Sequence, residues 1–170
     1  MKHFGTRFPD HAEFGDVTNR LPVPDASARL VYCSHVLEHL PLEGLRAALR
    51  ETYRILQSHG IFRLVLPDLE SIVDAYRSDP GENAAVQFMR DTILGQEARS
   101  VGWSGRLRDS FGNAQHRWMW DFLGLSKELH KAGFVDIRRA FYGDSSDRAF
   151  SEVEEESRWS GCLGIECSKS

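Results

Sequence analysis

Apolar positions fall into runs and helical repeats that change period along the chain. Leu30 to Ser34 and Ile61 to Leu66 are short, nearly continuous apolar runs of the kind that form buried strands. Between them Leu45, Leu49, Tyr53 and Leu56 recur at helical spacing while Arg46, Arg50, Glu51 and Arg54 fall elsewhere, which predicts an amphipathic helix. Pro41 suits its first turn, and Gly60 is expected as its left-handed cap. Strand, helix, strand at this length reads as a parallel βαβ unit, so a ligand site is expected at the carboxyl ends of its strands.

Around this unit the pattern predicts less regular structure upstream and further helices downstream. Residues 1–14, with Phe4, Phe8 and Phe14 among polar neighbours, suit a docked extended segment, Phe14 to Val17 a brief strand, and Asn19 to Ser27 a turn. Helical spacing resumes through Leu69–Tyr76 and Glu82–Leu94, interrupted by Pro80 and Gly81. Glycines, serines and arginines near 95–114 predict a mobile insertion. Leu125–Ala132 reads as a helix closed by Gly133, Phe134–Phe141 as a strand, and Gly161–Cys167 as a last strand pairing with it. Glu152–Glu156 reads as a solvated acidic loop.

Composition narrows the class. The chain has 170 residues, is 41% hydrophobic and carries a formal charge of -4, which suits one domain over 1–170 and gives no global footprint for nucleic acid. Three cysteines without close pairing, no opening signal segment and no apolar run near 20 residues lead us to expect a soluble, cytoplasmic protein with reduced thiols and no membrane partner.

The wording of three segments resembles the class I S-adenosylmethionine-dependent methyltransferases, specifically the type 11 group. LPVPDASARLVYCSHVLEHL is similar to that family's loop, fourth strand and following helix, LRETYRILQSHGIFRLVLPD to its next helix and fifth strand, and HRWMWDFLGLSKELHKAGFVDI to its late helix and sixth strand. The resemblance covers roughly residues 12–167. It implies an α/β, Rossmann-like sheet of seven strands, mostly parallel with a C-terminal antiparallel hairpin whose last strand inserts beside the fifth. Against the family pattern the chain is N-terminally truncated: no GxG occurs in it, and Gly5 in HFGTRF is a lone glycine.

The resemblance further implies methyl transfer from S-adenosylmethionine to a small-molecule acceptor. Asp16 and Val17 take the positions that meet the adenine, and Cys33 and Ser34 those that meet the methionine portion. His35 is the candidate general base, since an unperturbed imidazole titrates near working pH. Asp68 and Glu70 stand on the same edge, where a carboxylate orients an acceptor or caps a helix. Arg117, with Arg99, Arg106 and Arg108 before it, suits recognition of an acidic acceptor, whereas Trp120 is expected to pack back on the sheet. The alternative is a non-catalytic domain, or one completed by a homodimer or partner chain covering an exposed sheet edge.

His35, Glu38 and His39 also spell H-x-x-E-H, the inverted zincin pattern, so a zinc peptidase is a remote alternative, and a divalent ion held by these three residues to bind an acceptor is a nearer one. The sequence assigns no metal ligand.

Overall fold

The computed structural model describes residues 12–95 and 115–170. The insertion expected near 95–114, with Arg99, Arg106 and Arg108, and the lone Gly5 lie outside the described residues.

Four strands form one sheet. β1 (Ala28–Ser34) leads through a single 3-10 turn (Leu37–His39) into α1 (Leu42–Ile55), which returns directly as β2 (Leu56–Pro67). Then follow α2 (Leu69–Ser78), α3 (Ala84–Asp91), α4 (Phe122–Ala132), β3 (Phe134–Ala140), two short 3-10 turns (Arg148–Glu152 and Glu156–Arg158) and β4 (Cys162–Lys169). The spatial order is β1-β2-β4-β3, with β1 and β2 parallel and β4 antiparallel to both β2 and β3. The last strand therefore does insert beside β2, as the resemblance implies. Of the seven strands it implies, the described residues carry these four.

Alternation along the strands divides the sheet into two faces. Phe62, Leu64 and Leu66 of β2 and Leu163, Ile165 and Cys167 of β4 point to one side, where Leu45, Ala48 and Leu49 of α1 and Leu125 and Leu129 of α4 complete the main core. The other side holds Val65, Ala140 and Trp159, and beneath them Arg63, whose side chain is wholly excluded from solvent. A charge inside an apolar run requires partners. Arg63 has Glu154, Asp144 at 2.9 Å, Glu166 at 3.0 Å, the Phe141 carbonyl at 2.6 Å and the Trp159 ring at 4.5 Å. The acidic segment expected to be solvated thus delivers Glu154 into the interior, because Arg63 compensates its charge.

Three local expectations change. Phe14 to Val17 forms no strand: Asp16 accepts from the Thr18 amide at 2.9 Å, the Thr18 hydroxyl at 2.7 Å and Asn19 Nδ2 at 2.6 Å, and this local network bends the chain. Gly60 is not a helix cap, since α1 ends at Ile55 and β2 starts at Leu56 with no intervening loop; the left-handed residue nearby is His59 at φ 62°. Gly133 does close α4, at φ 104°, where the Tyr53 ring also packs within 3.0 Å of the position a Cβ would take.

The α1–α4 contact carries a salt link that couples stability to pH. Glu128 on α4 takes Arg46 through Nε at 2.7 Å and Nη2 at 3.2 Å, and Lys131 at 2.6 Å. Arg46 and then Lys131 pull its carboxyl down to about 2. A carboxyl lowered on folding contributes stability that is complete above its unfolded value of about 4.5 and is lost as pH falls towards 2. Glu128→Gln is expected to cost about 1 kcal/mol at pH 7, because both partners are half-exposed, and to flatten the loss of stability between pH 4.5 and 2. Urea unfolding across that range checks both.

Candidate functional site

Strand ends set the site. β1 finishes at Ser34 opposite Val65 and β2 at Pro67 opposite Cys162, so the residues after β1, after β2 and before β4 share one edge. At this carboxyl edge the main chain turns sharply at His35, which adopts φ 53° while its amide still donates to the Val65 carbonyl at 2.9 Å. A left-handed conformation is costly for a residue with a Cβ, and such strain collects where side-chain placement is demanding.

His35 points two ways. Its Nε2 lies 3.0 Å from the Arg158 carbonyl and 4.0 Å from the Cys162 sulfur, and its Nδ1 lies 3.4 Å from Glu38 Oε1. The Cys162 sulfur, the Glu38 carboxylate and the Arg158 carbonyl together push the ring up to about 10. Both ring nitrogens are engaged and protonated at neutral pH in this arrangement, so accepting a proton from a substrate requires the ring first to lose one. Cys33 beside it is pushed up to about 12 by burial and by Glu38, which makes it a thiol and not a thiolate at neutral pH.

Glu38 is the centre of the second feature. Its side chain is 1% exposed, and apart from the 3.4 Å contact of His35 Nδ1 with Oε1 neither carboxylate oxygen has a hydrogen-bond partner among the described residues. His39 Nε2 stands 3.8 Å away, and His116 closes the group from a segment 77 residues downstream of His39. The Glu38 carbonyl accepts from the Arg117 and Trp118 amides at 2.8 and 3.2 Å, which clamps that segment onto the turn. Sequence reading expects His35, Glu38 and His39 to share one helical face. The structure groups Glu38 and His39 with His116 instead, because only Leu37–His39 is helical and His35 precedes it in a left-handed bend. The zincin helix is not formed.

The remaining candidates separate. Asp68 caps α2, accepting from the Glu70 amide at 3.0 Å and the Ser71 hydroxyl at 3.1 Å, and Arg139 pairs with Glu70 at 2.5 Å. Trp120 is buried in the core as expected, while Arg117 is exposed. Asp16 is exposed in its turn, its hydrogen bonds to Thr18 and Asn19 holding its carboxyl below the usual range, and Val17 packs against the main core. Ser34 places its hydroxyl at the edge of the sheet, buried and without a partner among the described residues.

Sequence reading missed a cavity of about 220 Å³ on the same edge, lined by Phe141, Tyr142, Glu156, Trp159, Ser160 and Cys162. Its Cys162 is the residue that His35 touches. Only the exposed aromatic pair Phe141–Tyr142 after β3 signals it in the sequence.

A parallel β1–β2 pair joined by α1, with the last strand inserted antiparallel beside β2, matches solved structures over nearly the whole chain. The methyltransferase SibL in its apo form superposes at TM-score 0.53 with 14% identity, covering 92% of this chain and 35% of that one. A Thermotoga maritima protein described as a SAM-dependent methyltransferase, possible histamine N-methyltransferase, does so at 0.51 with 18% identity over 92% of this chain and 62% of its own. This is the class I methyltransferase fold. Human N-acetylserotonin methyltransferase in complex with SAM gives 0.50 at 14% identity, covering 93% and 33%. The chain therefore spans about three-fifths of one of these methyltransferases and a third of the other two. A family model described as "Methyltransferase domain" matches residues 5–64. No curated protein matches the chain in sequence. None of these comparisons supports a peptidase.

Proposed function

We propose that this protein transfers a methyl group from S-adenosylmethionine to a small-molecule acceptor. The observation that carries the reading is the carboxyl edge of the methyltransferase-like sheet, where His35, just after β1, touches Cys162 in the wall of a pocket of about 220 Å³. That volume suits an acceptor of modest size, and Phe141, Tyr142 and Trp159 offer aromatic walls to orient it.

Two features fit the cofactor. The Ser34 hydroxyl is a buried group still lacking a partner, and a carboxylate has about four lone-pair positions, of which Asp16 uses three. Ser34 and Cys33 would meet the methionine portion, and Asp16 and Val17 the adenine. When bound, the cofactor supplies an electrophilic methyl group. The protein's part is to hold the acceptor in line and to exclude water, which accounts for much of the acceleration in such transfers. His35, held by Glu38 and the Arg158 carbonyl beside Cys162 of the pocket wall, would position an acceptor relative to the strand end that holds the cofactor. His35 takes a proton from an acceptor only after losing the one that its Nε2 donates to the Arg158 carbonyl.

No helix among the described residues is long and apolar enough to cross a membrane, and the three cysteines are free, in keeping with action in the cytoplasm. A second reading, completion of the sheet by another copy or another chain, is favoured by β1, which is the terminal strand among the described residues.

S-adenosylhomocysteine at about 100 times its dissociation constant stabilises a binding protein by about 2.7 kcal/mol, so Tm is expected to rise by about 5 °C or more. Ser34→Leu fills the proposed edge and should abolish the rise. An unchanged Tm for the wild type contradicts the reading.

A further inference from the structure

We propose that Glu38, His39 and His116 form a binding site for a borderline divalent transition-metal ion of the zinc and cobalt class. One ligand atom from each of the three lies within 4.8 Å of the others, and Glu38 Oε1 and His39 Nε2 are 3.8 Å apart. Two ligands of one tetrahedral ion stand about 3.4 Å apart, so closure needs only small side-chain shifts. Imidazole and carboxylate donors together suit this class of ion better than magnesium or calcium, which prefer oxygen alone.

Burial is the independent observation. Glu38 is 1% exposed and His116 6% exposed; Glu38 Oε2 and His116 Nδ1 lack hydrogen-bond partners among the described residues, and Glu38 Oε1 has only the 3.4 Å contact with His35 Nδ1. Buried polar atoms are almost always satisfied, so an unpartnered carboxylate oxygen and an unpartnered imidazole nitrogen in one buried cluster mark a place that a cation would fill. The opposite edges of the two rings are already committed. His39 Nδ1 lies 3.2 Å from the Gln115 carbonyl, which makes it the proton-bearing nitrogen and leaves Nε2 with its lone pair towards Glu38. The His116 ring hydrogen-bonds to the Thr92 backbone, while its Nδ1 has no partner among the described residues. Such second partners fix the tautomer and aim of metal-binding histidines. The two rings meet edge to face, with centroids 5.0 Å apart.

His35 is outside the triad and touches Glu38 Oε1 from 3.4 Å, supporting the carboxylate. Three protein ligands leave a coordination position for water or for an acceptor atom. The inference does not rest on methyl transfer, since it concerns metal binding by the protein alone.

The test uses the full chain, stripped with chelator and titrated with Zn²⁺ by calorimetry and with Co²⁺ by absorption. We expect one equivalent bound with micromolar or tighter affinity, a rise in Tm, and visible cobalt bands without the near-ultraviolet charge-transfer band that thiolate ligands give. His116→Gln and His39→Gln should each weaken binding at least tenfold with the circular dichroism spectrum unchanged; should one fail to fold, the other decides. Absence of saturable binding by the folded wild type overturns the proposal. So does binding within threefold of wild type in the folded variants, or a cobalt–thiolate band, which would place the ion on Cys33, Cys162 or Cys167.

Discussion

Arg63→Leu is expected to lower the unfolding free energy by about 3–5 kcal/mol, a large part of the stability of a domain this size. The cost arises less from the lost contacts than from what they leave behind. Glu154, with a side chain 1% exposed, keeps only the Gly143 amide at 3.1 Å, and Glu166 keeps Arg138 at 2.6 Å. An uncompensated carboxylate in the interior must be protonated or must pull the 141–154 segment open towards water. Replacing Glu154 by methionine in the same protein removes the orphaned charge, so Arg63→Leu/Glu154→Met should be more stable than Arg63→Leu alone. Urea unfolding of the two variants checks this, and a loss under 1 kcal/mol for Arg63→Leu would show that the network is not a structural centre.

Gly164→Ala is expected to cost about 3 kcal/mol or more. The residue sits in the middle of β4, opposite Val65 on one side and Ala140 on the other. A Cβ there would fall far inside van der Waals distance of both the Trp159 ring and the Ala140 carbonyl. The ring could swing away, but the carbonyl belongs to the β3–β4 ladder and cannot move without breaking it. Overpacking of this kind exceeds the ordinary range when backbone is the obstacle. Trp159 also lies over the Arg63 guanidinium at 4.5 Å, so the two substitutions share a neighbour and should not add. Thermal unfolding followed by tryptophan fluorescence measures the effect, and a Tm within 2 °C of wild type would refute it.

Both predictions sit where the sequence was only half legible. The βαβ unit was readable because its apolar period changes from continuous to helical and back, and α4 because Gly133 closes it. Arg63 interrupts the apolar run Ile61 to Leu66, yet the sequence pattern reads its partner Glu154 as part of a solvated acidic loop. Nothing local separates Glu154 from Glu152, Glu155 or Glu156; only the fold decides which one meets Arg63. The site divides in the same way. His35, Ser34 and Cys33 were readable as a strand end, and strand ends are where open α/β sheets bind ligands. The grouping of His116 with Glu38 was not readable, because it depends on the 115–118 backbone docking onto the Glu38 carbonyl. The H-x-x-E-H spacing brings His35 to Glu38 but does not set the three residues on one helical face, since a helical offset has meaning only where a helix forms.

Binding of S-adenosylmethionine at the carboxyl edge is best tested by calorimetric titration with S-adenosylmethionine and S-adenosylhomocysteine, using Asp16→Ala as the control. Saturable binding near one equivalent with micromolar affinity is expected, weakened at least tenfold in Asp16→Ala. Absence of heat with either ligand, from protein shown to be folded, would contradict it and favour a non-catalytic or partner-completed domain.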